Sequence, residues 1–289
     1  MFHKVGDIVR AYGVSGLARR SIAYAIAFAY RRGVRPCIPL REPVHYAGIP
    51  VCYDRKWGDR MVPTSWVPEE VLDQPDYEAK LVAGLSETIR PGDSVVVVGV
   101  GFGVTAVVAA LRTGPSGTVQ CFEGSKQHVR LAQQTAARNR VTNVSIHHAV
   151  IAKSISVYGI GSDVGAVLPP SQLPPCDVLE LDCEGAEVEI LRELSIQPRV
   201  ILVETHGLYG ASTHLVASLL EKRGYIISDR GVAEPRAAHH CTVHDIRVLL
   251  GIKLTLLKRS TCKPGHDNVD QPILTSSVGP LSRRNDQGP

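Results

Sequence analysis

Hydrophobic positions fall into two rhythms that alternate regularly between residues 76 and 252. Unbroken β-branched runs such as Asp93–Gly99 (DSVVVVG) predict strands buried on both faces, because a strand inside a parallel sheet has no solvent side to make polar. Between these runs, apolar residues recur at the spacing of a helix with one dry face, as in Lys126–Asn139. In chain order the pattern predicts strand Asp93–Gly99, helix Val104–Arg112, strand Thr118–Glu123, helix Lys126–Asn139 and strand Val144–His148. After a Gly/Pro-rich stretch come strand Asp177–Asp182, helix Ala186–Leu194, strand Arg199–Thr205, helix His214–Arg223, strand Tyr225–Ser228 and a candidate final strand His244–Leu250. Strand–helix alternation with short links implies right-handed crossovers and a doubly wound α/β sheet.

The flanks follow other patterns. Residues 1–75 form a basic extension with one predicted helix, Gly16–Arg32, ended by Gly33 and Pro36, and two short strand candidates, Tyr46–Tyr53 and Met61–Val67. Residues 253–262 complete a last strand or trail from it, and from Lys263 to Pro289 the composition turns polar with Gly and Pro punctuation, so 253–289 is expected to be a largely disordered tail. The apolar run Ile22–Tyr30 is nine residues long between arginine pairs, and a membrane span needs about 20.

Charge is uneven: residues 1–62 carry eleven Lys/Arg against four acids, so the front is +7 and the remainder −3. Such a front attracts anionic partners, and residues 16–32 are the candidate segment for peripheral membrane or subunit contact. No aromatic interleaving or zinc-finger spacing accompanies the charge, so nucleic acid is not expected. Seven cysteines without a C-x-x-C pair suit reduced thiols in a cytoplasm rather than a disulfide framework.

Ligands of doubly wound sheets bind outside the carboxyl ends of the strands, where strand order reverses. The first core strand runs into Gly99-Val100-Gly101-Phe102-Gly103, and glycines there let a ligand approach the amides of the helix start. Twenty residues after Gly103 the second strand ends in Glu123, placed to accept hydrogen bonds from ribose hydroxyls. Asp182 ends the fourth strand and is a candidate catalytic residue, while Glu184 and Glu187 open the next helix, where the dipole alone favours acids. His206, after the fifth strand, is either a general base or a loop anchor.

The strings VVVVGVGFGVTA, CFEGS, DVLELDCEGAEVEILREL and VILVETHG, with a late EKRGY, resemble the FkbM-type S-adenosylmethionine-dependent methyltransferases over residues 76–230. The resemblance implies a class I methyltransferase fold, a Rossmann-like sheet of seven strands with the last antiparallel. It implies S-adenosylmethionine as cofactor and O-methylation of a hydroxyl on a small-molecule or sugar-like acceptor. By position, Gly99, Gly101 and Gly103 take the methionine end, Glu123 with Gly124 beside it the ribose, and Ala149 or its neighbours the adenine. Asp182 falls near the transferred methyl, and Glu78 closes the cofactor site.

Methyltransferases of this fold usually carry an acid two residues before the first glycine, where this chain has Val97. Weaker binding, compensation by another acid and a non-catalytic binding module all follow from that departure, and N-methylation is the rival chemistry. No metal is expected, since the Asp-Asn pair of metal-dependent relatives is replaced by Glu-Thr-His after the fifth strand. His239, His240, Cys241 and His244 lack a second cluster of matching spacing and read as incidental. Residues 154–175 are expected to form a lid or hairpin over the acceptor pocket.

Overall fold

The computed structural model describes residues 2–152 and 165–253, with side chains from Val14 onward except Leu17. Eight strands make the central sheet: β3 (Ser94–Val98), β4 (Thr118–Glu123), β5 (Val144–Ile151), β6 (Ala166–Leu168), β7 (Val178–Leu181), β8 (Val200–Glu204), β9 (Tyr225–Val232) and β10 (Arg247–Lys253). Their order is β6-β5-β4-β3-β7-β8-β10-β9. β10 runs antiparallel to both its neighbours, and the other pairings are parallel. From β3 the chain winds outward through β4 and β5, then returns to β7 on the opposite flank. The reversal point therefore lies between the carboxyl ends of β3 and β7, where such a fold opens its crevice.

Alternation along each strand sorts the core into two layers. Val96, Val98, Leu179, Leu181, Ile201 and Val203 pack with Ile190 and Leu191 of α5 (Glu187–Glu193) and Val216 and Leu220 of α6 (Thr213–Lys222). Val95, Val97, Cys121, Val178, Val200 and Leu202 pack with Leu81 and Leu85 of α2 (Ala79–Thr88) and Ala106 and Ala109 of α3 (Val104–Thr113). A strand dry on both faces needs no polar positions, which is why the sequence shows runs rather than alternation.

Two expectations change. The sheet gains an eighth strand, β6, because residues inside the Gly/Pro-rich stretch pair with Ala149–Ile151. Residues 154–164 of the expected lid and the tail from residue 254 lie outside the described residues. Met61–Val67 is not a strand. It holds a 3₁₀ turn, Thr64–Trp66, between Pro63 and Pro68, and proline withholds the donor that pairing requires.

The front of the chain is built onto the core domain. β1 (Leu40–Tyr46) and β2 (Ile49–Lys56) form an antiparallel hairpin whose turn residues Ala47 and Gly48 have φ of 46° and 79°, the positive pair that matches strand twist. The hairpin docks on α4 (Lys126–Arg138) and the residue after it: the Thr135 hydroxyl accepts from the Cys52 amide at 3.2 Å, and Asn139 Nδ2 donates to the Pro50 carbonyl at 2.9 Å. α1 spans Phe2–Ala29, starting earlier than expected, and continues through a π-helical turn, Tyr30–Val34. There Tyr30 donates to Asp59 Oδ1 at 2.9 Å, while Ile22, Tyr24, Ile26 and Phe28 stay exposed. Among the described residues no helix is long and apolar enough to cross a membrane.

Candidate functional site

The three glycines after β3 are required for three different reasons. Gly99 has φ of +87°, and a Cβ there would lie 1.7 Å from the Asp182 carbonyl oxygen, so only glycine lets the two strand ends close on each other. Gly103 has φ of +86°, and its Cβ would meet Ala132 Cα at 2.9 Å, which fixes the approach of α3 to α4. Gly101, with φ of +48°, faces Tyr77 and Glu78; its Cβ position is 3.4 Å from the Tyr77 hydroxyl and 3.9 Å from Glu78 Oε1. The Gly101 backbone is thus the part of the loop with room for a ligand.

Glu123 ends β4 beside this loop. Its Oε2 accepts from the amides of Val100 at 3.1 Å and Gly101 at 3.2 Å, and Oε1 accepts from Ser125 at 2.7 Å. The carboxylate therefore sets the loop's shape, using three of about four lone-pair directions and leaving one for a further donor. Gly124 follows it, its carbonyl accepting from the Gly165 amide at 3.1 Å. Ala149 is buried in the core beside Phe122 and Ile151, with its strand paired to Ala166.

Glu78 precedes α2 in the left-handed region, φ 47°. Burial, with the charges of Asp182 and Glu180, pushes its carboxyl well above the usual range. Beside it Tyr77 joins Tyr46, Tyr53 and Phe102 in an aromatic wall, with ring centroids 4.7 to 6.0 Å apart. The sequence reading passed over Tyr77 and Phe102, although each directly adjoins a residue it selected.

Val97 has a partner in the sheet. In parallel register it lies opposite Glu180 of β7, and Cα partners in adjacent parallel strands point to the same face. Glu180 is 1 % exposed, its carboxylate oxygens have no partner within hydrogen-bond distance, and the nearby Thr105 hydroxyl acts against the upward push of burial. Burial and the charge of Asp182 raise its pKa to about 8. A glutamate in an otherwise apolar strand (DVLELD) was the sequence signal for it.

Asp182 and His206 are brought together. His206 Nδ1 lies 2.9 Å from Glu187 Oε1, which also accepts from the Cys183 amide at 3.0 Å. Its Nε2 faces Asp182 Oδ1 at 3.5 Å and Glu204 Oε1 at 3.8 Å. Glu187 is fully buried, so its role is to orient His206 and the turn after β7, rather than to charge a helix end. Burial opposes the imidazolium, but the Glu187 hydrogen bond and the charge of Asp182 outweigh it and raise the His206 pKa to about 9. Burial lifts Asp182 to about 7, with His206 pulling it partly back. His239, His240, Cys241 and His244 lie on α7 (Ala238–His244), and Cys241 is near enough to Glu204 to add to the upward push that burial gives its carboxyl.

Residues 98–227 match the model of the methyltransferase FkbM domain. No curated protein matches the chain. Solved structures that resemble it include the precorrin-6y C5,15-methyltransferase of Geobacter metallireducens, 14% identical over 64% of this chain and 92% of that one, with a TM-score of 0.43. Another is the O-methyltransferase TomG of Streptomyces achromogenes with S-adenosylmethionine, 14% identical over 64% and 83%, with a TM-score of 0.42. A third is an O-methyltransferase of Thermotoga maritima, 17% identical over 68% of each chain, with a TM-score of 0.41.

Proposed function

We propose, from the match of residues 98–227 to the methyltransferase FkbM domain model, an S-adenosylmethionine-dependent O-methyltransferase acting on a hydroxyl of a small or sugar-like acceptor. The observation that carries the reading is the glycine loop at the sheet's reversal point, shaped by Glu123 and facing Asp182 across the crevice. The residues present fit the cofactor. Gly101 offers backbone without a side chain in the way, and Glu78, Glu180 and Asp182, whose pKa values are all raised, gather carboxyls that a bound ammonium and sulfonium would ionise.

When bound, S-adenosylmethionine supplies an electrophilic methyl group that passes in line to the acceptor oxygen. The protein holds donor and acceptor on that line and takes up the hydroxyl proton. Asp182 is the group placed for the proton, because its side chain is 21% exposed to the crevice while that of His206 is 6% exposed. His206, oriented by Glu187, steadies the carboxylate from behind. Glu180 supplies beside Val97 the carboxylate that position lacks, which favours compensation over a degenerate site.

Calorimetric titration with S-adenosylmethionine and S-adenosylhomocysteine tests this reading. The intact protein is expected to bind both at micromolar concentration, and Glu123→Ala to lose at least about tenfold, roughly 1.4 kcal/mol. Glu123→Gln keeps one of the two acceptor oxygens, enough for the Val100 and Gly101 amides but not for Ser125 as well, and is expected to lose less than Glu123→Ala. An intact protein that binds neither compound ends the proposal.

A further inference from the structure

His206 presents its Nε2 to two carboxylates at once. The ligating atoms of Asp182, Glu204 and His206 all lie within 4.8 Å of one another. A divalent ion held about 2.1 Å from each of three donors needs them roughly 3 to 4.2 Å apart. Nε2 stands 3.5 Å from Asp182 Oδ1 and 3.8 Å from Glu204 Oε1, and the remaining separation in the set, no more than 4.8 Å, closes onto an ion with a small rotation of either carboxylate.

Two further observations point to a cation at that position. Glu187 binds His206 Nδ1 and is itself fixed by the Cys183 amide. That arrangement, a carboxylate gripping the far nitrogen so that the near one is aimed, is how metal-ligating imidazoles are held. Glu204 is 9% exposed, and its Oε2 is buried without a hydrogen-bond partner. A buried acceptor left without a donor is costly, and a cation bound through Oε1, the oxygen that faces His206 at 3.8 Å, compensates that carboxylate.

We propose that Asp182, Glu204 and His206 bind one divalent cation at the carboxyl ends of β7 and β8. Two carboxylates and one imidazole, without thiolate, form a hard-to-borderline donor set that suits manganese or magnesium rather than a soft ion. The three protein donors leave coordination positions open toward the crevice, where Asp182 is accessible. An acceptor oxygen bound there is positioned and polarised, and its proton passes to the Asp182 oxygen that does not ligate the ion. This role rests on the methyltransferase reading; the cation site itself does not. The sequence argued against metal because an Asp-Asn pair is missing, but the fold assembles a different triad from a strand end and the turn two residues beyond another.

The test titrates Mn²⁺ into chelator-treated full-length protein, following free Mn²⁺ by electron paramagnetic resonance, with S-adenosylhomocysteine titrated in parallel. One Mn²⁺ per chain is expected. Glu204→Gln and, in case that buried variant fails to fold, the more exposed Asp182→Asn are each expected to weaken it by roughly tenfold or more. The surface change Asp229→Asn is expected to leave it unaltered. Protein that binds S-adenosylhomocysteine but not Mn²⁺ overturns the cation site and leaves the methyltransferase reading standing. Mn²⁺ bound without S-adenosylhomocysteine supports the site and removes its proposed role. Mn²⁺ affinity unchanged in both folded ligand variants places the ion elsewhere and overturns the proposal.

Discussion

Glu180 is a charge-bearing side chain in a row of apolar neighbours, with Val97 on one side and Leu202 on the other across the sheet. Its oxygens lack partners at hydrogen-bond distance, with Thr105 the nearby polar side chain, so keeping this carboxyl in the sheet, protonated or charged, costs stability that an uncharged residue would relieve. That cost is explained by the charge Glu180 can take up behind Glu78 and Asp182 when a cationic ligand is bound. Glu180→Gln is therefore expected to raise stability by about 1–2 kcal/mol, roughly 2–8 °C in melting temperature for a domain of this size. It is also expected to weaken S-adenosylhomocysteine binding about tenfold, or 1.4 kcal/mol. Thermal unfolding and calorimetry on the same preparation check both arms. A stabilised variant that binds as well as the parent would reduce Glu180 to a packing residue.

At the scale of elements, the loop after β8 is held from a distance. Asp245, in the left-handed region at φ 52°, follows α7 and reaches across to the start of α6, where its carboxylate accepts from the Thr213 amide at 2.8 Å and hydroxyl at 2.6 Å. The Thr205 amide in turn donates to the Arg247 carbonyl at 2.8 Å, so the turn carrying His206 is clamped to the start of β10. Asp245→Ala removes a cap and places a disfavoured residue at positive φ, a loss of about 1–3 kcal/mol. Asp245→Asn keeps an acceptor and tolerates that backbone, and is expected to lose under about 1 kcal/mol. Denaturant unfolding of the two variants measures the difference, and equal losses would show that the carboxylate's charge, not its capping geometry, matters.

The same elements show what the sequence could and could not disclose. β3 and β8 were legible because double burial writes a strand as an unbroken apolar run, β7 because one glutamate alone interrupts its run, and Gly99, Glu123, Asp182 and His206 stand at or just beyond strand ends. The pairing of Val97 with Glu180 was not legible, since register across a parallel sheet is decided by crossovers and not by either strand alone. Glu187 read equally as a helix-dipole acid until the fold placed His206 within 2.9 Å of it. Met61–Val67 misled because its apolar residues serve a turn between two prolines, whose missing donors outweigh the strand-like composition.

For the molecule as a whole, the crevice is a meeting of segments far apart in the chain: Tyr77 and Glu78, the glycine loop, Glu123, the β7 end and the β8 end. The front hairpin takes part through Tyr46 and Tyr53, whose rings lie 5.3 and 5.4 Å from Phe102 in that loop. A ligand seated on the loop therefore bears on the hairpin as well as on the sheet. S-adenosylhomocysteine at about 100 times its dissociation constant adds about 2.7 kcal/mol by mass action, which for a domain of this size is roughly 5–11 °C. The upshift is expected in a single transition, accompanied by slower amide exchange in β1 and β2. Tyr77→Ala, which removes the ring between hairpin and loop, is expected to lower the affinity and uncouple hairpin protection from ligand binding. If exchange in β1 and β2 is indifferent to saturating ligand while the glycine loop is protected, the hairpin folds as a separate part and the aromatic wall is packing alone.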